Sequence, residues 1–386
     1  MDFTLTEQQR ELQDTARKFA RAALPELARQ MERDAAPLPD DMRRRYGEMG
    51  FLGVNLPEEY GGLGLGHLEA LLVLEEFAQI SAAVAWPVFE ALTGPVRTIE
   101  HFGSDQLKAR IIPEVVRGEA IVAVSMSEPG AGTALTDLTT TGREAGEDIV
   151  LNGQKRWCSG AGHSDYYIVY CRMSDAPGAK GIGAVLVEKE RAGLSFGKPE
   201  ELMGFRGIPS CDIFLDDVRV PRRNVIVPAG GFGRLMSAFG LERCGNATMG
   251  LGIAAGALED ALDYVQEREQ FGKPLVDFQA VQLRLADMAM KVEASRLLIH
   301  RAAVNAQDGL PTALESSTAK CFSNQMVREV ASDGMQLMGG YGYSKEYPME
   351  QRLRDAYAWG IAGGTTDVQK TNIAAALVGR RFDQRR

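Results

Sequence analysis

The chain has 386 residues, 45% of them hydrophobic and 25% charged, and carries a net charge of −9. That length holds two or three domains with substantial cores, and the acidic balance argues against nucleic acid as the main partner. No run of about 18 apolar residues is present to span a membrane, and no basic stretch leads into an apolar run at the start, so neither membrane insertion nor a signal peptide is expected and a cytoplasmic location is.

Residues 1–119 read helical. TEQQRELQDTARKFARAAL places its apolar residues on one stripe, with Thr6 as N-cap, and LEALLVLEEFAQI is a second helix. Between them LPEEYGGLGLG is a glycine-rich loop that lacks the GxGxxG dinucleotide fingerprint. From 120 to 229 the period changes to two: IVAVSMS, DIVLNGQKRW, YYIVYCRM, GIGAVLVEK, LSFGK and CDIFLDDVRV alternate with Gly, Pro and Asp turns, as in a β-sheet domain or small barrel. From 230 to 386 the chain is helical again. SAFGLERCGNATMGLGIAAGALEDALDYVQERE, rich in small residues, suits long helices packed closely in a bundle, and ADMAMKVEASRLLIHRAAVNAQ and SSTAKCFSNQMVREVASDGMQLMG add two more amphipathic helices.

The five cysteines (Cys158, Cys171, Cys211, Cys244 and Cys321) form no CxxC pair and read as reduced packing residues. The four histidines show no HxxxH spacing, so no metal site is expected.

The most informative segment is VSMSEPGAGT, Val124 to Thr133. A strand breaks at Pro129 into Gly130 and Gly132, which lets backbone approach a bound group and leaves the Ser127 and Thr133 hydroxyls free to hold it. Taken alone, such a segment is equally well a simple turn. Taken alone, too, Trp157 is a half-buried strand residue, QLMGGYGYS is a helix ending in a glycine C-cap, and Glu242–Arg243 is a surface dipeptide.

The order helical, β, helical, with these stretches in sequence, closely resembles the acyl-CoA dehydrogenase family over essentially the whole chain. The fold so implied is α+β: an N-terminal α-helical domain, a middle β-sheet or barrel domain and a C-terminal four-helix bundle. The resemblance implies an FAD enzyme, a flavoprotein oxidoreductase of fatty acid or aromatic acid degradation. Such an enzyme removes an α-proton and a β-hydride from an acyl-CoA thioester and passes the electrons to an electron-transferring flavoprotein. It implies a homo-oligomer, dimer or tetramer, as well.

The resemblance assigns roles by position. Val124, Met126, Ser127, Gly132 and Thr133 would lie along the flavin, with Thr133 (Ser is usual there) also touching the substrate. Trp157, Cys158 and Ser159 match the stretch whose aromatic ring covers one flavin face. In REQFGKPLVDFQ, Arg268 would pair with the pyrophosphate, which suits a planar multi-donor cation, and Phe271 and Gln279 would also contact the cofactor. The family shares this FAD across a dimer interface, the neighbour supplying the residues that match Gln336, Leu337, Met338, Gly339 and Gly340.

The catalytic base departs from the common pattern. Where many members read Glu-Gly-Thr-Ser-x-x-Gln, this chain reads GGTTDVQ, so Gly363 stands at the Glu position. Thr365 and Asp367 still match cofactor contacts, and Gly363 and Gly364 substrate contacts, the Gly363 N–H remaining able to stabilise an enolate. The isovaleryl-type members carry their base on a long helix within Leu-Glu-Arg, which matches Leu241, Glu242 and Arg243; Glu242 is the expected base, with Arg243 beside the substrate.

Trp86 and Glu90 occupy the positions of a Gln and a Glu at the bottom of the straight-chain acyl pocket. A Trp there shortens the cavity and favours a short, branched, cyclic or aromatic acyl group, although Trp86-Pro87 is expected to disturb its helix.

FRGIPSCDIFLDDVRVP and IAGGT also resemble the branch that holds a sulfinopropionyl-CoA desulfinase, which keeps FAD without net oxidation. That branch has Gln at the base position and Arg where this chain has Trp86, and both differences favour dehydrogenation. A third reading is a subunit that needs a partner to complete its FAD site.

Overall fold

The computed structural model describes residues 3–307 and 309–382. Seven helices come first: α1 (Glu7–Ala23), α2 (Pro25–Asp34), α3 (Asp40–Glu48), α4 (His67–Ile80), α5 (Ala82–Leu92), α6 (Pro95–Phe102) and α7 (Asp105–Val116). Thr6 caps α1 as expected and completes a capping box: its side chain accepts from the Gln9 N–H, and the Gln9 side chain accepts from the Thr6 N–H. The expected disturbance at Trp86-Pro87 does not occur. α5 runs through Pro87, and all of its residues are buried, so tertiary packing outweighs the missing N–H.

The strands follow: β1 (Val122–Ser125), β2 (Thr141–Ala145), β3 (Asp148–Ser159), β4 (Tyr166–Arg172), β5 (Ile182–Glu188), β6 (Leu194–Phe196), β7 (Ser210–Pro221) and β8 (Val225–Val227). They form one eight-stranded sheet in the order β6-β7-β3-β2-β4-β5-β8, with β1 parallel to β4, and its path ends on β6 and β8 rather than closing on itself. One face, with Ile168, Tyr170, Ala184 and Leu186, joins the helical core. The other, with Tyr167, Val169, Val185 and Val187, makes a second core with β3 and β7. This division follows the two-residue period of β4 and β5.

The chain then returns to helix. α8 (Phe232–Glu267) leads to a hairpin, β9 (Glu269–Gln270) and β10 (Lys273–Pro274), and then to α9 (Gln279–Ala306), α10 (Ala313–Met338), α11 (Gly340–Tyr343), α12 (Met349–Trp359) and α13 (Thr366–Val378). α8, α9, α10 and α13 form the bundle, with α10 against each of the other three. α8 runs for 36 residues, about 54 Å at 1.5 Å per residue. Its glycines let neighbours approach: a Cβ at Gly252 would strike Ala78 of α4, and one at Gly245 would strike Thr93. On the same helix the Glu242 carboxylate is near enough to Glu90 of α5 for the two charges to interact. Among the described residues no helix is long and apolar enough to cross a membrane.

Candidate functional site

The expected site residues fall at the two ends of α8. At its N-terminal half, Glu242 is half-buried and faces Gly363: a Cβ at Gly363 would lie 3.2 Å from Glu242 Oε1 and 3.1 Å from Lys320 Nζ. The two positions that the resemblance offers for the base therefore converge in space. Burial pushes the Glu242 carboxyl above the usual carboxylate range, and the Lys320 and Arg243 charges pull it back. Glu90, buried on α5, is pushed well above that range by burial first and by the Glu242 charge second. Its Oε2 has no hydrogen-bond partner. From β4 the buried Tyr170 hydroxyl also senses the Glu242 charge. Arg243 is half-buried and its Nε is unpartnered.

The loop that carries Gly363 is held by a buried polar network that sequence reasoning missed. Lys320 Nζ donates to the Ala362 carbonyl at 2.5 Å and to the Gly363 carbonyl at 2.8 Å. Asn246 Nδ2 adds a longer bond to Ala362, and Asn324 Nδ2 donates to both Asn246 and Trp359. Gln369 Nε2 donates to the Gly364 carbonyl while its Oε1 accepts from Ser317. Gly363 and Gly364 both take the left-handed conformation, at φ 62° and 88°, which glycine adopts without a Cβ penalty. Thr365 then caps α13 through the Val368 N–H, and Asp367 is exposed in its first turn.

Trp86 is buried, with its ring edge against the backbone turn after β3: a Cβ at Gly160 would lie 2.6 Å from Trp86 Cη2. The indole therefore packs between the first helical layer and the sheet.

The segment from Val124 to Thr133 leaves β1 and turns at Glu128 and Ala131, whose N–H and carbonyl groups pair reciprocally. Val124, Met126 and Ser127 are half-buried, while Gly132 and Thr133 are exposed. A Cβ at Gly130 or Gly132 would meet nothing within 4 Å, and neither has positive φ. These glycines thus serve neither turn geometry nor contacts within the chain, which fits close approach by a bound group. The turn is braced from beneath by buried Glu128, which accepts from Lys155 Nζ at 2.8 Å, from the Thr139 N–H and hydroxyl, and from the Thr140 N–H. These bonds hold the Glu128 carboxyl at about 2 despite burial.

Trp157 is held in the left-handed region, φ 60°, at an irregularity in the β3–β7 register between Lys155 and Cys158, and is 53% exposed. A left-handed Trp costs roughly 1–3 kcal/mol, and the chain spends it on presenting an indole outward with the Arg156 guanidinium 4.3 Å from the ring centre. Cys158 is buried, its thiol on the Val124 carbonyl, and Ser159 is half-buried. An outward Trp and an open glycine turn side by side fit the flat ring system of a flavin. The Arg156 N–H bond to the Ser127 carbonyl ties the two together.

The other end of α8 is different. Arg268 follows the last turn of the helix, and Glu242 lies 26 positions before it, roughly 39 Å along the axis. Arg268 lines a surface groove of about 450 Å³ with Tyr264, Leu337, Met338, Gly339 and Tyr341. Gln336 and Gln279 are exposed and Met338 is buried. A Cβ at Gly339 or Gly340 would again meet nothing within 4 Å. Phe271 sits at the tip of the β9–β10 hairpin, φ 55° and 95% exposed. The sequence reading had a neighbour supply Gln336–Gly340 opposite Arg268. Within one chain Arg268 and Leu337–Gly340 share one groove, because α10 ends beside the end of α8, so a copy that supplies one to a neighbour supplies the other with it.

Three family comparisons match: acyl-CoA dehydrogenase N-terminal domain over residues 6–119, middle domain over 123–218 and C-terminal domain over 229–378. The chain is 34% identical to the 3-(aryl)acrylate reductase of Clostridium sporogenes, covering 97% of this chain and 99% of that protein. It is 35% identical to the 3-sulfinopropanoyl-CoA desulfinase of Paraburkholderia xenovorans, covering 100% of this chain and 99% of the other. Among solved structures it matches butyryl-CoA dehydrogenase from Megasphaera elsdenii with a TM-score of 0.94 at 32% identity, over 98% of this chain and 100% of that one. The chain belongs to the acyl-CoA dehydrogenase family and is a flavoprotein oxidoreductase of that family.

Proposed function

We propose that this enzyme catalyses α,β-dehydrogenation of an acyl-CoA thioester with Glu242 as the base, and that it holds FAD and delivers electrons to an electron-transferring flavoprotein. The observation that carries the reading is the convergence of Glu242 on Gly363, which puts a carboxylate where the common family base would begin. Val124, Met126, Ser127, Gly132, Thr133, Trp157, Cys158 and Ser159 line the flavin side, with Thr365 and Asp367. Arg268, Phe271, Gln279, Gln336, Met338, Gly339 and Gly340 form the groove end that takes the pyrophosphate and adenine half. A flavin held there would supply the acceptor for the β-hydride.

The chain's own residues do the rest. Glu242 takes the α-proton on its carboxylate, and a half-buried site raises its basicity. The Gly363 N–H donates to the thioester oxygen as negative charge develops there. Burial and the Glu242 charge both disfavour a second negative charge on Glu90 beside the enolate. Trp86 and the helix around it limit the depth of the acyl pocket, so a short, branched, cyclic or aromatic acyl group fits best. Because roughly 39 Å along α8 separates Glu242 from Arg268 and a dinucleotide is shorter, one FAD would use the Glu242 end of one copy and the Arg268 end of another. A homo-oligomer is therefore part of the site. Desulfination is the weaker reading, since the base here is a carboxylate and the acyl pocket presents Trp86.

The test is Glu242→Gln, which keeps shape and removes the proton acceptor. FAD should stay bound, while anaerobic bleaching by a panel of short, branched and aromatic acyl-CoAs slows at least about a hundredfold. Bleaching at the native rate would falsify the assignment of the base. In the native enzyme the bleaching rate should fall as pH drops, because only the ionised Glu242 accepts a proton. The loss should come at a higher pH than the ordinary glutamate range of about 4.3, since burial raises this group. A rate constant across that interval would remove Glu242 from the reaction.

A further inference from the structure

Lys320 lies on α10 within the small-residue run SSTAKCFS and is 0% exposed. Among the described residues no carboxylate lies within 4.0 Å of its Nζ. Its hydrogen bonds go to the carbonyls of Ala362 and Gly363. A buried ammonium without an ion-pair partner is costly, and a loop needing only support could be held by an amide. The nearest opposite charge is Glu242. Nζ and Glu242 Oε1 face each other across the space that one methyl group on Gly363 would fill.

Resting on the proposed role of Glu242, we propose that Lys320 is a positioning residue for the base. It clamps the Ala362 and Gly363 carbonyls, sets the Gly363 N–H opposite Glu242, and keeps the Glu242 carboxylate charged in a pocket that burial would otherwise neutralise. Arg243 acts in the same sense from α8, while Glu90 from α5 and Tyr170 from β4 sense the Glu242 charge. The Lys320 charge is in turn sustained by Glu242 against burial. A glycine at position 363 is what leaves the space between the two open, since a side chain there would sit between them.

The experiment follows the Glu242 carboxyl carbon by 13C NMR through a pH titration, with Glu242→Gln for assignment, in the native enzyme, Lys320→Met and Lys320→Arg. Without the charge, the Glu242 midpoint should rise by roughly one unit or more, and Arg should bring it back toward the native value. A folded Lys320→Met with an unmoved midpoint overturns the proposal. Should Lys320→Met not fold, the 15N resonance of Lys320 Nζ is compared in the native enzyme and Glu242→Gln. A titration step present in the first and absent in the second supports the coupling, and identical titrations overturn it. These readouts need no acyl-CoA, so they stand apart from the test of the reaction: Glu242→Gln bleaching at the native rate sinks the dehydrogenation reading and leaves the Lys320–Glu242 coupling intact.

Discussion

The two ends of α8 are built on opposite plans. At the Glu242 end, three chain segments far apart in sequence meet around a half-buried carboxylate, and a buried network of Lys320, Asn246, Asn324 and Gln369 fixes the loop opposite it. At the Arg268 end, the groups stand exposed: Phe271 projects from a hairpin tip, and Gly339 and Gly340 meet nothing. The first plan is complete within one chain and resists change. The second leaves its groups open to solvent. Reactive geometry demands groups fixed by their neighbours, and the first plan supplies them.

The largest test of this contrast lies at the interior end. Trp86→Ala removes a buried indole that packs on Gly160, and truncation of a buried Trp typically costs about 3–5 kcal/mol. Thermal unfolding should show the loss. If Trp86 also closes the acyl pocket, longer straight-chain acyl-CoAs should gain relative to the native substrate, each added methylene being worth about 0.8 kcal/mol. A large stability loss with an unchanged chain-length profile would mean that the indole joins two layers and does not touch the acyl group.

Next in size is the open end. Arg268→Ala should weaken FAD binding by about 1.5–3 kcal/mol, the range for a charge-assisted hydrogen bond. Unfolding of the flavin-free protein should be unaffected, because Arg268 is exposed. Flavin release on dilution, followed by fluorescence, measures it. A drop in apo-protein stability instead would place Arg268 with the structural residues and erase the contrast.

These two plans also explain what could be read from the chain. Capping at Thr6, the switch of period near β1 and the long α8 are local signals, and the structure repeats them. The glycine end of α10 was legible for the same reason, whereas Arg268, Phe271 and Gln279 were singled out only by the family resemblance. The arrangement of the groove was not legible, because only the packing of α10 beside α8 reveals that Arg268 and Leu337–Gly340 line one groove. Lys320 was hidden more deeply: its partners Ala362 and Gly363 lie 42 and 43 residues away, and a lysine among small residues on a helix gives no sign of burial. The Glu128–Lys155 pair beneath the flavin-side turn was missed likewise, with partners 27 residues apart. Pro87 shows the opposite error, a local rule overruled by complete burial of α5.

The smallest expected effect sits between the two plans, at Trp157. Its backbone is strained like that of a functional site, yet its side chain is exposed like a surface residue. Trp157→Gly relieves roughly 1–3 kcal/mol of left-handed strain. Against that stand about 0.5–1 kcal/mol of added chain freedom and a similar loss of the Arg156 contact. The terms nearly cancel, so the flavin-free protein should unfold within a few degrees of the native temperature. The holoenzyme should not escape so lightly. Stacking on an aromatic face is worth about 0.5–1.5 kcal/mol, so FAD should bind a few-fold to about tenfold more weakly, and its fluorescence should be quenched more readily by iodide. If instead the flavin-free protein loses many degrees, the indole is a packing residue, and the strain at φ 60° must serve the sheet rather than the cofactor.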